Sequence, residues 1–292
     1  MHKESSGLDL MVATTSAPRE TGGDLKPTRL IEWAARLGYA SRGLVYVLLG
    51  GLAVLAASGA GGDTSGKRGV LVTVLMQPLG WIWLSLIALG LASFAAWRLL
   101  ESVTDADNRG SSFKGIAVRA THFGSGILYL VLSAFAVSLA LGWAASGEDG
   151  QAAKDWTAWL MSKPFGTWLV MLGGLGFAGA GFGFLWKAWQ NKFKKLADRG
   201  SMQWLITMGR IGFASRGIVY LLIGSFLVLA GWHNNAQEAE GLGGALNSLQ
   251  QQPYGWILLG FTALGLVAYG AFGIAEAVYR RIDPPQTFEL RP

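Results

Sequence analysis

Cysteine is absent from this chain of 292 residues, and only 14% of them are charged. The first absence excludes a disulfide scaffold and any thiolate-held zinc or iron–sulfur centre. The second lies well below the roughly one quarter expected of a soluble domain. Histidine is scarce as well, with three copies. Two of them, His2 and His233, fall in a tail and an outer loop, so the sequence offers no metal-binding cluster. What is abundant is apolar: 51% of residues, with 13 tryptophans and 42 glycines. The apolar residues are gathered into long blocks, and six blocks each exceed the ~20 residues that cross a bilayer. The chain reads as an all-α integral membrane protein.

The six spans are placed at 36–58, 79–100, 116–144, 165–187, 207–231 and 254–278. Residues 1–28 are polar and read as a disordered cytoplasmic tail, and 283–292 as a short cytoplasmic tail. The block Leu44 to Ala57, preceded by Arg36 and Arg42, imitates a signal peptide. Its near-twin at 217–231, deep in the chain, argues for a span instead. Of the 24 Lys and Arg residues, all but Lys67, Arg68, Lys154 and Lys163 flank the spans on one side. By the positive-inside rule that side is cytoplasmic, which puts both termini there. The net charge of +6 is thus a topology signal, and no basic face beside a recognition element suggests nucleic acid.

The chain repeats itself three times. Arg36-Leu-Gly-Tyr-Ala-Ser-Arg-Gly-Leu-Val-Tyr46 matches Arg210-Ile-Gly-Phe-Ala-Ser-Arg-Gly-Ile-Val-Tyr220 at nearly every position. A weaker copy, Arg119-Ala-Thr-His-Phe-Gly-Ser-Gly-Ile-Leu-Tyr129, lies between them. Each copy is followed by a second anchor: Gln77-Pro-Leu-Gly-Trp81, Lys163-Pro-Phe-Gly-Thr167 and Gln252-Pro-Tyr-Gly-Trp256. The units are 29–107, 108–198 and 199–282, each holding two spans. Two spans per unit make the units parallel, so the expected architecture is three tandem helical hairpins about a pseudo-threefold axis along the membrane normal. A short amphipathic stretch precedes each Pro, with apolar residues at Val70, Val74, Trp156, Leu160, Ala245 and Leu249. These stretches read as three short helices lying on the outer interface.

The pattern resembles a bacterial integral-membrane family defined by tandem copies of a domain of unknown function, number 1206. The run at 38–46, its twin at 212–220 and the Pro-aromatic-Gly starts of the even spans carry the resemblance, which extends from about residue 33 to 282. The middle copy departs, with Ser125 in place of Arg42 and Arg216, and His122 in place of Tyr39 and Phe213. The resemblance implies six spans and no established activity.

Arg42 and Arg216 lie about two turns inside their spans, where an unpaired charge costs roughly 2.5–3.5 kcal/mol at the centre of a bilayer. Glu101 and Glu276 stand at matching positions, each 23 residues after the Pro of its unit. In the middle unit those positions hold Ser125 and Lys187, so Arg and Glu are present together twice and absent together once. The pattern predicts Arg42–Glu101 and Arg216–Glu276 pairs, or the same residues paired between neighbouring units. Snorkelling to cytoplasmic headgroups is the competing reading. Arg36, Arg119 and Arg210 recur at span starts, either as positive-inside anchors or as an anion-favouring lining of the axis. Tyr46, Tyr129 and Tyr220 recur at membrane depth, where a hydroxyl wants a partner on the next helix. His122 reads as a packed histidine rather than a proton relay.

Two motif matches fail on context. Gly61-Gly-Asp-Thr-Ser-Gly66-Lys67 opens like a phosphate-binding loop, but Arg68 stands where the magnesium-holding Ser or Thr belongs. Gly174-x-Gly176-x-x-Gly179 matches the dinucleotide fingerprint inside a span, where no strand–turn–helix can form. No nucleophile stands with a base at a recognisable spacing, so the expectation is that the chain is not an enzyme and takes no cofactor. Trp186, Trp189, Phe193 and Leu196, among Lys187, Lys192, Lys194 and Lys195, suggest contact with anionic lipid of the inner leaflet. The expected role is structural or interactive, with a membrane-protein partner or a second copy. The alternative is a small channel or transporter for anions with its site near the axis.

Overall fold

The computed structural model describes residues 25–105, 112–143, 149–190 and 203–279. The two terminal tails, apart from residues 25–28, and the basic segment carrying Lys192, Lys194 and Lys195 lie outside these residues. Nine α-helices occur among the described residues, with a 3-10 turn at Ala236–Glu238. They are α1 (Leu25–Ala57), α2 (Gly66–Leu75), α3 (Gly80–Thr104), α4 (Phe113–Ala140) and α5 (Asp149–Met161). They continue with α6 (Gly166–Trp189), α7 (Gln203–Trp232), α8 (Leu242–Gln250) and α9 (Gly255–Tyr279). Six are long and apolar enough to span a membrane: Trp33–Ala57, Gly80–Thr104, Gly115–Ala140, Gly166–Trp189, Ile206–Trp232 and Gly255–Val278. Continuous helix is what lipid demands, because backbone groups there find partners only within their own segment. Helix α1 begins at Leu25, inside the stretch expected to be tail, and accommodates Pro27 in its first turn, where no intrahelical donor is lost.

The repeated sequence anchors prove to be helix punctuation. Each odd span ends with a left-handed residue: Gly59 (φ 72°), Gly142 (φ 71°) and Asn234 (φ 52°). The residue after each bonds back to the last turn, Ala60 to Leu55, Trp143 to Ser138 and Asn235 to Ala230, at 3.1, 2.8 and 2.9 Å. This doubly bonded C-terminal cap stops α4 at Ala140, short of the 144 expected. Each Pro-aromatic or Pro-Leu pair then forms a tight turn whose N–H donors Gly80, Gly166 and Gly255 bond to Gln77, Lys163 and Gln252 at 2.8, 2.9 and 2.7 Å. The residue before each glycine, Leu79, Phe165 or Tyr254, has a positive φ of 58–61°. The glycines are obligatory, since a β-carbon there would run into the carbonyl of Leu75, Leu160 or Gln250.

Packing follows one rule between units. In every case the first span of a unit packs on the second span of another: α1 on α9, α4 on α3 and α7 on α6. One glycine makes all three approaches. A β-carbon on Gly43 would sit 2.6 Å from the Gly270 carbonyl, and one on Gly126 would sit 2.8 Å from Leu99. On Gly217 it would sit 3.0 Å from the Gly181 carbonyl. Seven residues on, Gly50 lies over the Ala263 carbonyl and Gly224 over that of Gly174, while Ser133 donates to the Ala88 carbonyl at 2.8 Å. Small residues at a seven-residue interval let the backbones approach closely, the usual basis of helix association in lipid.

Within units the contact is made twice, not three times. Gly38 abuts Phe94, and Gly212 abuts Tyr269 in the same way. Ser41 meets Gly90, and Ser215 meets Gly265. In the middle unit the corresponding residues are Thr121 and Ala180, then Gly124 and Gly176, and the latter two have nothing within 4 Å of a β-carbon. Thus α4 and α6 form no comparable interface, and the expected middle hairpin is open. The helices run α4–α3–α1–α9–α7–α6 as an unclosed series. The reason lies in the side chains: where units one and three bring a ring against a glycine, unit two brings an alanine against a threonine.

The short helices pack against one another and against the bundle. Val70, Leu71, Ala245 and Leu246 are fully buried, and Thr157 of α5 is buried, while Trp156 remains exposed. A cross-connection, Lys154 to Glu240 at 2.8 Å, ties α5 to the segment before α8.

Candidate functional site: a buried arginine and tyrosine cluster

The seams between units carry the deep charges. Arg42 Nη2 reaches Glu276 Oε2 at 3.0 Å across the α1–α9 seam, and both side chains are largely buried. The pairing is therefore between units one and three, the second of the two arrangements read from the sequence; the within-unit pairs Arg42–Glu101 and Arg216–Glu276 do not form. Glu101, only 3% exposed, is held instead by Arg98 at 2.8 Å on its own helix, with His122 Nδ1 of α4 at 3.5 Å. Ser125 occupies the Arg42 position in this seam, and the cation has moved to Arg98 on the facing helix.

Arg216 is the exception. The glutamate position facing it in the α6–α7 seam holds Lys187. Its guanidinium, 8% exposed, donates to the hydroxyls of Tyr269 and Tyr220. The rings of Phe184, Tyr269, Tyr220 and Tyr46 surround it at 4.7, 4.8, 5.0 and 5.5 Å from their centroids. Arg42 is similarly set among Phe94, Tyr39 and Tyr269 at 4.9, 5.1 and 5.4 Å. Gly273 gives it room, because a β-carbon there would come within 3.3 Å of the guanidinium. Ring faces carry partial negative charge, so each stack offsets some of the cost of taking a guanidinium out of water.

The repeated tyrosines converge with these cations. Tyr46 packs edge-on to Tyr269 at 4.9 Å, Tyr129 to Phe94 at 4.8 Å, and Tyr220 to Phe184 at 5.1 Å. The sequence placed Lys67 in an outer loop, yet its ammonium lies over the rings of Tyr46 and Tyr129 at 4.9 and 4.8 Å. Burial opposes its charge, but the tyrosine oxygens of Tyr129, Tyr46 and Tyr220 outweigh that and hold Lys67 above the ordinary lysine range. Lys67, Arg98, Phe94, Phe184 and Tyr269 were all overlooked in the sequence. Aligning the even spans on their Pro residues would have exposed one signal: Phe94 and Tyr269 share a position, as do Arg98, Phe184 and Gly273.

Arg36 and Arg119 serve helix ends instead of lining an axis. Arg36 donates to the Ala277 and Val278 carbonyls at 2.9 and 2.8 Å, and Arg119 to those of Ser102 and Val103 at 2.8 and 3.2 Å. Each caps the last turn of the even span against which its own helix packs, where a cation meets unsatisfied carbonyls and the negative end of the helix dipole. Arg210 starts α7's described face in the same repeat position, with Nε buried. At the end of α6, Trp186 and Trp189 are exposed at 64% and 85% beside Lys187. Among the described residues no group of three His, Asp or Glu side chains could hold a metal ion.

Comparison with known proteins agrees with the threefold reading of the chain. The family described as Domain of Unknown Function (DUF1206) matches it three times, over residues 37–105, 120–191 and 211–280. The chain is similar to "Uncharacterized protein YxxB" of Bacillus subtilis (strain 168), with 32% identity over 252 residues. That alignment covers 85% of this chain and 90% of the relative. No solved structure matches.

Proposed function

The chain belongs to the DUF1206 family, and we propose for it a structural or interaction role in the bacterial cytoplasmic membrane, with both termini cytoplasmic and no catalytic function. The observation that carries this reading is the open middle unit. The face of α4 at Gly124 and the face of α6 at Gly176 correspond to surfaces that bind each other in the other two units. Within one chain these two small-residue faces stand apart, with nothing within 4 Å of a β-carbon at Gly124 or Gly176. A second copy supplies both, so α4 of one copy docks on α6 of the other in an isologous pair. The exposed Trp186, Trp189 and Lys187 support contact of the α6 end with anionic lipid of the inner leaflet.

The natural absence of cysteine makes the docking directly testable. Gly124→Cys combined with Gly176→Cys, oxidised in native membranes, gives a covalent dimer. Leu89→Cys, on a lipid-exposed face of α3, gives none. A bond formed within one chain, or no bond at all, overturns the two-copy arrangement. A second reading, an anion channel or transporter, draws on one observation: the cations around Tyr46 and Tyr269 outnumber the carboxylates. Anion flux into proteoliposomes that disappears in Arg42→Ala and Arg216→Ala would establish it in place of the first.

A further inference from the structure

The three seams are built to one plan, and comparing them level by level shows a missing charge. At the level of Arg42 the α1–α9 seam holds one arginine and one glutamate, Arg42 and Glu276. The α3–α4 seam also holds one of each, Arg98 and Glu101. The α6–α7 seam holds Arg216 and, in the glutamate position, Lys187. Arg216 bonds to two neutral hydroxyls where Arg42 and Arg98 each bond to a carboxylate, and like theirs its Nε is buried without an acceptor. The Tyr129 hydroxyl is a second buried donor without a partner, on a residue only 3% exposed. Tyr129 and Tyr46 share the ammonium of Lys67, which lies 4.8 and 4.9 Å from their ring centroids. Lys67 and Arg216 share the ring of Tyr46, which stands 4.9 Å from one and 5.5 Å from the other. Arg216 therefore sits in the bundle without a carboxylate, near the idle Tyr129 hydroxyl, while Glu276 is engaged by Arg42. Rings and hydroxyls reduce the cost of such a cluster, but a full countercharge removes most of it.

We propose that the Arg216 seam binds an oxyanion, a carboxylate or phosphate group, in the role that Glu276 and Glu101 fill in the other two seams. The guanidinium of Arg216 supplies the principal contact, the Tyr129 hydroxyl donates to it, and Lys67 adds charge from the outer side. The anion is either a free one or the headgroup phosphate of a lipid entering beside the open middle unit. This site is independent of the two-copy docking, and it binds whether or not any anion crosses the membrane.

The test is thermal unfolding of the full chain in neutral detergent after exhaustive exchange into an anion-poor buffer, followed by tryptophan fluorescence. Sodium phosphate and sodium acetate are the probes at constant ionic strength. Nanodiscs of zwitterionic lipid with and without phosphatidylglycerol form a separate arm. The wild-type midpoint rises saturably by about 5 °C with the bound species. A response to phosphate or acetate identifies a free anion, and a response to phosphatidylglycerol alone identifies the headgroup. Arg216→Gln raises the half-saturating concentration at least about tenfold. Lys187→Glu restores the glutamate of the other seams, so it melts without added anion where the wild type melts with it, and it no longer responds. A wild-type midpoint indifferent to all three additions overturns the site. So does a response that survives undiminished in Arg216→Gln and Lys187→Glu.

Discussion

Arg42 in the first unit meets Glu276 in the last at 3.0 Å, and this pair closes the chain's two ends onto each other through the α1–α9 seam. Arg42 takes its countercharge from the even span of another unit, and the matching position facing Arg216 holds Lys187. That single relationship explains why Glu101 turns to Arg98, and why Arg216, facing Lys187, turns to tyrosines. Breaking a buried pair by removing one partner leaves a bare charge and costs about 3–5 kcal/mol.

The first prediction concerns that partner. Arg42→Met and Glu276→Gln each destabilise the protein strongly, and the double variant recovers part of the loss, with a coupling of about 1–3 kcal/mol. Arg42→Met combined with Glu101→Gln gives losses that simply add. Unfolding in mixed micelles titrated with denaturing detergent measures the wild type, the three single variants and the two doubles. Coupling to Glu101 in place of Glu276 would refute the seam rule.

A second prediction separates packed from open glycines. Gly126→Leu drives a side chain into Leu99 and the α3 backbone, and overpacking of this kind costs about 1–3 kcal/mol or more. Gly51→Leu, on α1 beside the seam glycine Gly50 but with nothing within 4 Å of its own β-carbon, changes stability by less than about 0.5 kcal/mol. The same detergent titration reads both. Equal losses at the two positions would mean that α1 is covered on the face the structure leaves open.

The third prediction tests the turn before each even span. Leu79 is 62% exposed and held at φ 59°, so its side chain packs against little while its backbone is strained. Leu79→Gly relieves that strain and stabilises the protein by up to about 1 kcal/mol. Gly80→Ala, one residue on, forces a β-carbon into the Leu75 carbonyl and lowers the melting temperature sharply. A neutral Gly80→Ala variant would show that the turn is not formed as described.

Much of this architecture is written in short stretches of chain. The six spans are legible because lipid tolerates little but long apolar helix, and the observed limits match those read from hydropathy within a few residues at most ends. The threefold copying is legible because identical local tasks, a left-handed cap, a proline turn and a close glycine, require identical residues each time. Trp156 and Thr157 were harder to read. The helical period placed Trp156 on the apolar face of its stretch, but the structure leaves it exposed and buries Thr157, because the short helices pack on one another and on the bundle.

Which glutamate neutralises which arginine was not legible, and neither was the open middle unit. The presence of Arg and Glu together in units one and three agreed equally well with pairing inside a unit and pairing between units. Local sequence determines each helix and its ends, since those depend on neighbours a few residues away. Only tertiary structure sets α1 against α9 and leaves α4 apart from α6, because that choice compares whole interfaces. Gly43 and Gly270 let two backbones touch, whereas Thr121 and Ala180 give α4 and α6 no ring to close upon. Lys67 makes the same point most simply: its charge placed it on the outer surface, and the fold of α2 carries it inward over Tyr46 and Tyr129.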